Sequence, residues 1–360
     1  MSEPLFAATA PVFQVDGEVK GELARDLLWL EIEEDTDGMK RLSARFLAQG
    51  PLPGANTEGL LYLDGRILDF GKRLEVSIGP AQVARTVFSG QVSAIEAQFR
   101  ETREPEVMVL AEDKLMQLRM TRRMKTYEEM SDADIASDIA GQHGLAAEVD
   151  ADGPTYDVVQ QWNQSDLAFL RERARLIQAE VWLEEDTLHF KTRDRRNATE
   201  LTLVQGNHIV SMSARADLAH QRTKVKVSGF DAQARDQIDE EAGEDAIQAE
   251  ISGGRNGPAV LAQAFGERVS YRVREAPLAS AEARDWARGE MLRRARSFVT
   301  VQGVTRGSPD MMVGSQLRLE RVGPPFEGGG YTVTRLCHTY DLSQGHRTRF
   351  EAQRATIEGS

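Results

Sequence analysis

Short runs of alternating apolar and polar residues, cut by turns, fill the first hundred positions. Side chains of a strand point alternately to its two faces, so this pattern predicts strands at 12–15, 27–33, 42–47, 74–78, 83–89 and 91–99. Asp16-Gly17, Asp37-Gly38, the Gly/Pro stretch 50–54, Asp64-Gly65 and Gly79-Pro80 supply the turns. Many short strands at regular spacing point to a barrel or sandwich.

The period changes near Pro105. One more strand is expected at 107–111, followed by a basic segment, 119–125. Ser131 then reads as a helix cap with Asp134 three residues on, and Ile135, Ala136, Ile139 and Ala140 form an apolar stripe that Gly144 ends. A second helix starts at Ser165, with Asp166 in its first turn and Leu167, Leu170, Ala174 and Ile177 on one face. Val181 and Leu183 against Leu188 and Phe190 predict a hairpin. Strands follow at 201–204, 209–216 and 223–230. The acidic stretch 231–245 reads as a solvated loop, helix or insertion. Pro258 and Gly266 bracket a short helix, a longer one covers 281–296, and strands and turns run from 299 to 355. There is a weak internal echo: Leu74 to Gly79 resembles Leu317 to Gly323, and a longer hairpin follows each. The simplest account is a mixed β and α+β fold with two similar β-barrel domains and an inserted α/β domain. The boundaries read as 1–105 for the first barrel, 106–195 with 245–295 for the α/β insertion, and 196–244 with 296–360 for the second barrel.

Composition narrows the function. The 360 residues allow two or three domains, and 41% hydrophobic content supports real cores. A formal charge of −13 repels nucleic acid and anionic membrane unless a local basic face overrides it. One cysteine, Cys337, makes an intramolecular disulfide framework impossible and fits a reducing compartment. The opening MSEPLFAATAPVF does not read as a signal peptide, and no run reaches the roughly 18 apolar residues of a membrane span.

Catalytic signatures are sparse. G-x-S-x-G, a Walker loop, H-E-x-x-H and C-x-x-C are all missing. His338 beside Cys337 invites a metal, but strand alternation sends their side chains to opposite faces. His143, next to Gly144, is expected at a helix C-terminus. Asp150, Asp152 and Asp157 are spaced somewhat like the ligands of a calcium loop, yet the position that needs a bidentate Glu is Gln161, so an acidic turn is the better reading. The basic clusters 119–125 and 293–296 lack the interleaved aromatics of a nucleic-acid site and are expected to bridge acidic residues of a neighbouring subunit. Trp162, Trp182 and Trp286 read as core or interface anchors. No catalytic, cofactor-binding or metal residues are nominated.

Two groups of residues carry a family resemblance. The first is IASDIAGQHGLAAEV at 135–149, then SDLAFLRERA at 165–174 and VWLEEDTLHF at 181–190. The second is PDMMVGSQL at 309–317, GGYTVTR at 329–335, HTYD at 338–341 and Thr348-Arg349-Phe350. Together they resemble the baseplate hub proteins of contractile injection machines, a family that includes late control protein D of tailed phages and the N-terminal half of VgrG spike proteins. The resemblance implies a structural protein that is no enzyme and needs no cofactor. Two tail-tube-like barrels would lie side by side in each subunit, and a homotrimer would form a ring of six that joins the hexameric tail tube to the trimeric spike. The chain lacks the β-helical continuation of VgrG, which implies a separately encoded spike protein. The other implied partners are the inner tail tube or a tube-initiator protein, LysM-type or wedge baseplate proteins, and DNA or protein cargo in an acidic lumen, without membrane insertion. The implied location is a virion or phage-like particle assembled in the bacterial cytoplasm. The competing expectation is a tail-associated cell-wall hydrolase.

Overall fold

The computed structural model describes residues 6, 9–52, 57–80, 82–196, 199–231, 234–272 and 279–358. Part of the expected Gly/Pro turn at 50–54 and most of the first eight residues lie outside that set. Twelve strands form the framework. The first six are β1 (Val12–Val15), β2 (Leu27–Asp35), β3 (Arg41–Leu47), β4 (Arg73–Ile78), β5 (Arg85–Arg100) and β6 (Arg103–Glu112). The second six are β7 (Glu200–Val204), β8 (Ile209–Ala216), β9 (Val299–Arg306), β10 (Gln316–Glu320), β11 (Gly328–Asp341) and β12 (Gly345–Arg354).

Each set curls around its own core. Phe13, Ile32, Phe46, Val76, Phe88 and Val109, one from each of β1 to β6, meet in one apolar cluster. Leu203, Ile209, Val301, Leu319, Val333 and Phe350 do the same for β7 to β12. The pairing order is β2-β3-β6-β5-β4-β1 in the first set and β8-β9-β12-β11-β10-β7 in the second, so each strand has a counterpart six positions later.

The likeness extends to register. In the first set Val92 faces Ala111 and Ala94 faces Leu110, with a bulge between. In the second, Val333 faces Ala352 and Arg335 faces Glu351, with a bulge at the same step. Bulges also interrupt β2 against β3 between Leu27 and Trp29, and β8 against β9 between Ile209 and Ser211. Leu74 pairs with Gly90 where Leu317 pairs with Tyr331, so the echo seen in the sequence is a true structural correspondence. A bulge is a specific local device rather than noise, and its recurrence at equivalent steps marks two copies of one design. The copies differ at their last strand: β1 runs antiparallel to β4, whereas β7 runs parallel to β10.

Between and within the barrels lies an α/β layer with its own core. It includes the helices Asp132–Gln142, Asp166–Ile177 and Ser280–Arg296. Ser131 caps the first of these in a capping box with Asp134, and the Ser165 side chain accepts from the Ala168 N–H in the second, both as read from sequence. Ile139, Leu170, Phe190 and Trp286 are buried together in this core.

Three segments depart from the sequence reading. The strands expected at 83–89 and 91–99 are one strand, β5. Gly90 lies inside it because a Cβ there would come within 2.4 Å of the Glu112 carbonyl oxygen, a close approach rather than a turn. β6 carries the first barrel to Glu112, past the boundary expected at 105. The acidic stretch 231–245 is largely a strand, Asp236–Ala242, paired with Lys224–Asp231. Ile238 turns inward with Val225 and Val227 while Glu241 turns outward to Lys224 and Lys226. This hairpin packs with the helix Ser280–Arg296 in the α/β core, not with the second barrel to which 196–244 was assigned.

Candidate assembly interface

The two barrels are fused strand to strand. β11 is long because it serves two neighbours. Its first part, as far as Thr332, pairs with β10, and its last seven residues pair antiparallel with β2, from Arg335 opposite Asp35 to Asp341 opposite Trp29. Cross-strand pairs of this kind are each worth roughly 0.2–1 kcal/mol. On the inner face of the seam Tyr340 packs against the first core beside Leu30 and Ile32. On the other face Arg335 Nη2 donates to Glu33 Oε1 at 3.3 Å. Elsewhere Arg85 of β5 donates to Asp310 of the second half at 2.6 Å. Buried Arg196 lies 3.5 Å from Glu34 of β2 and 2.9 Å from Glu180, and stacks 4.1 Å over the Trp182 ring. Burial alone would raise the Glu180 pKa, but Arg193 and Arg196 more than offset this and hold it below the usual range.

The face of the continuous sheet that turns away from both cores is ionic. Arg41 pairs with Glu112, Arg45 with Glu106 and Arg335 with Glu33 across neighbouring strands. Acidic and basic side chains alternate here. Among the described residues, β5 and β8 each leave a stretch of strand edge open. β5 is bonded to β4 only as far as Gln91, and from Ala94 to Arg100 it is bonded to β6 alone. Among the described residues β8 is paired with β9, and on its other side only Ile209 is bridged, to Gln205.

The residues weighed as chemical candidates have structural partners. His338 and Cys337 do face opposite ways. His338 Nδ1 lies inside, 3.2 Å from both His346 Nε2 and Thr348 Oγ1. Burial, then the His346 and Lys40 charges, pushes its pKa well below the ordinary value, so the imidazole is neutral. Cys337 faces Glu31 and Glu33, with ligating atoms within 4.8 Å of one another. Burial and those two charges push its thiol up to about 12, which keeps it protonated at neutral pH. His143 has its backbone at the end of the helix Asp132–Gln142, as expected, while its ring bonds Asp166 Oδ2 at 2.7 Å. Arg195 pairs with Asp150 and Asp152, so the segment that looked like a calcium loop is a salt-bridged turn.

Several residues of the basic clusters have acidic partners within the chain. Arg119 pairs with Glu112, Arg123 with Asp166, Arg294 with Glu290 and Arg296 with Glu250. These partners lie up to 46 residues away in sequence, beyond what local pattern reveals. Trp182 and Trp286 are buried as expected, whereas Trp162 is 65% exposed. A cleft of about 1020 Å³ opens beside the helix Ser280–Arg296, lined by Arg193, Arg288, Arg318 and Arg354 among others. It contains neither histidine nor cysteine, so a Ser–His or Cys–His pair has no place in it.

Residues 60–341 match the family model described as the Alg8 N-terminal domain. The chain belongs to that family. A comparison with curated protein sequences finds no match. Among solved structures, this Alg8 N-terminal domain chain is similar to the 43 kDa tail protein of prophage MuSo2 from Shewanella oneidensis. The identity is 12%, the match covers 96% of this chain and 98% of that one, and the TM-score is 0.68. It is similar to the tail protein from Neisseria meningitidis MC58 at 13% identity over 96% of both chains, with a TM-score of 0.66. It is also similar to the E. coli c3393 protein, described as a component of the type VI secretion system with structural similarity to T4 bacteriophage tail proteins gp27 and gp5. There the identity is 12%, the coverage 93% of this chain and 74% of that one, and the TM-score 0.57.

The Alg8 N-terminal domain chain therefore has a phage-tail fold along nearly its whole length. Identities this low speak for backbone architecture alone. Among the described residues no helix is long and apolar enough to cross a membrane.

Proposed function

We propose that this protein is a structural baseplate hub of a contractile phage tail or phage-like injection system, with no reaction of its own. The observation that carries the reading is the duplication: two six-stranded barrels in matching register, joined edge to edge within one chain. Three such chains present six similar barrels, the arrangement that lets a threefold object meet a sixfold one. The hub would hold a trimeric spike on one side and the inner tail tube or its initiator on the other, with wedge or LysM-type baseplate proteins around it. DNA or protein cargo would pass through the ring. Such a protein would be made in the bacterial cytoplasm and assembled into the particle.

Light scattering of the purified chain, with negative-stain imaging of the same fraction, tests the reading. A threefold mass and six-lobed rings support it. A single-chain mass at all accessible concentrations, also in the presence of spike protein, counts against it. A peptidoglycan-clearing assay separates the hub from a cell-wall hydrolase: the hub leaves the turbidity unchanged.

A further inference from the structure

The fusion of the two barrels inside the chain is a template, and both of its halves recur unused. At the seam, the outer part of β11 pairs with the free side of β2. The counterpart of β11 is β5, and from Ala94 to Arg100 one side of β5 is open. The counterpart of β2 is β8, and among the described residues one side of β8 is open beyond Ile209, which bridges Gln205. An open strand edge seven residues long is a row of unsatisfied N–H and C=O groups that a chain must pair or protect.

The shared bulges carry the register from one seam to the other. Aligning the bulge of β11 with that of β5, and the bulge of β2 with that of β8, converts each seam pair into a specific pair of open-edge residues. Cys337 opposite Glu33 becomes Glu96 opposite Arg215. His338 opposite Ile32 becomes Ala97 opposite Ala214. Thr339 opposite Glu31 becomes Gln98 opposite Ser213, and Tyr340 opposite Leu30 becomes Phe99 opposite Met212.

The side chains suit that register. Glu96 would meet an arginine whose own ion pair, with Asp217, is exposed. Phe99 is 63% exposed, although its counterpart Tyr340 packs on a barrel core. Met212 and Ala214, half-buried against the second core, form the surface on which Phe99 would rest. Small residues face each other at Ala97 and Ala214.

We propose that β5, from residue 94 to 100, pairs antiparallel with β8 of a second copy of this chain, in the register of the internal seam. Donor and acceptor edges lie on different barrels, so the contact is head-to-tail and repeats until a ring closes. The inference rests on the trimeric hub reading for the number of copies and adds the strand pair and register that close the ring.

Cysteine pairs in the full chain test it. Gln98→Cys with Ser213→Cys, and Ala97→Cys with Ala214→Cys, sample both types of cross-strand pair. Mild oxidation should give disulfide-linked species of two and three chains. Gln98→Cys with Val210→Cys, three residues out of register, should give none, nor should the native chain with its buried Cys337. Glu96→Arg alone should lower the assembled fraction at least severalfold, and adding Arg215→Glu should restore it, with circular dichroism confirming that each variant is folded. A threefold mass without in-register crosslinks, untouched by either charge reversal, overturns the strand register while leaving the hub reading intact. A single-chain mass without crosslinks overturns both.

Discussion

Gly38 shows how much one backbone position can carry. Its φ is +88°, and a Cβ there would fall 1.6 Å from the Val181 carbonyl oxygen. The β2–β3 turn therefore presses directly on the strand Ala179–Glu184 of the α/β layer. Gly38→Ala should destabilise the protein by about 2 kcal/mol or more, read as a lowered urea midpoint. The dipeptide Asp37-Gly38 marked a turn in the sequence, but only the structure shows what the turn touches. His338 makes a different prediction. Its folded pKa lies well below 6.5, so below pH 6.5 the unfolded state binds a proton that the folded state refuses. Stability is thus full above pH 6.5 and falls as the pH drops from there towards the folded pKa, by up to about 1.4 kcal/mol per pH unit for this group. His338→Gln should flatten that acid limb in urea melts between pH 7 and 5. The limb will not vanish, because burial also lowers the pKa of His189. Asp113 has the opposite sign. Burial raises it to about 7 despite hydrogen bonds from the Lys40 and Leu115 N–H groups. Its contribution is present below pH 3.8 and is lost as the pH rises through 7, so Asp113→Asn should cost less stability at pH 8 than at pH 5.

At the scale of elements, the helix caps and amphipathic stripes were legible because they depend on residues within four positions of each other. Ser131, Ser165 and Pro258 each stand where the sequence placed them. Long strands were not legible in the same way. β5 was broken in two by Gly90, which is required by close packing and says nothing about a turn. The ion pairs that tie elements together were equally hidden, since their partners are distant in sequence. Arg196 is the clearest case, with Glu34 from the first barrel and Glu180 from the α/β layer both buried around it. Arg196→Ala leaves those carboxylates short of a partner and should cost about 3 kcal/mol, with Glu180 partly rescued by Arg193. Arg196→Lys should recover only part, because an ammonium cannot bridge both acids and stack on Trp182 at once.

At the scale of the whole molecule, the first barrel depends on the last strands of the chain. β2 is covered on one side by β11, some 300 residues later. A fragment that ends at residue 296 loses β9 to β12 and exposes the β2 edge as well as the half-built second core. Sedimentation of that fragment should show aggregation, whereas the full chain stays as discrete species. The same dependence means that refolding must wait for contacts across most of the chain and should be slow compared with local helix formation.

By itself the sequence determined the strand and helix periods, the caps, the duplication hinted at by Leu74 and Leu317, and the absence of recognisable catalytic patterns. All of these are local or repeated features, and local chemistry is what a linear string records. Only the tertiary structure decided that the acidic stretch packs as a hairpin on a helix, that several arginines of the basic clusters pair with distant acids of the same chain, and that two barrel edges are fused while stretches of their two counterparts stay open. Each of those outcomes depends on which distant segments meet, and that is set by packing the three cores together rather than by any one stretch of residues.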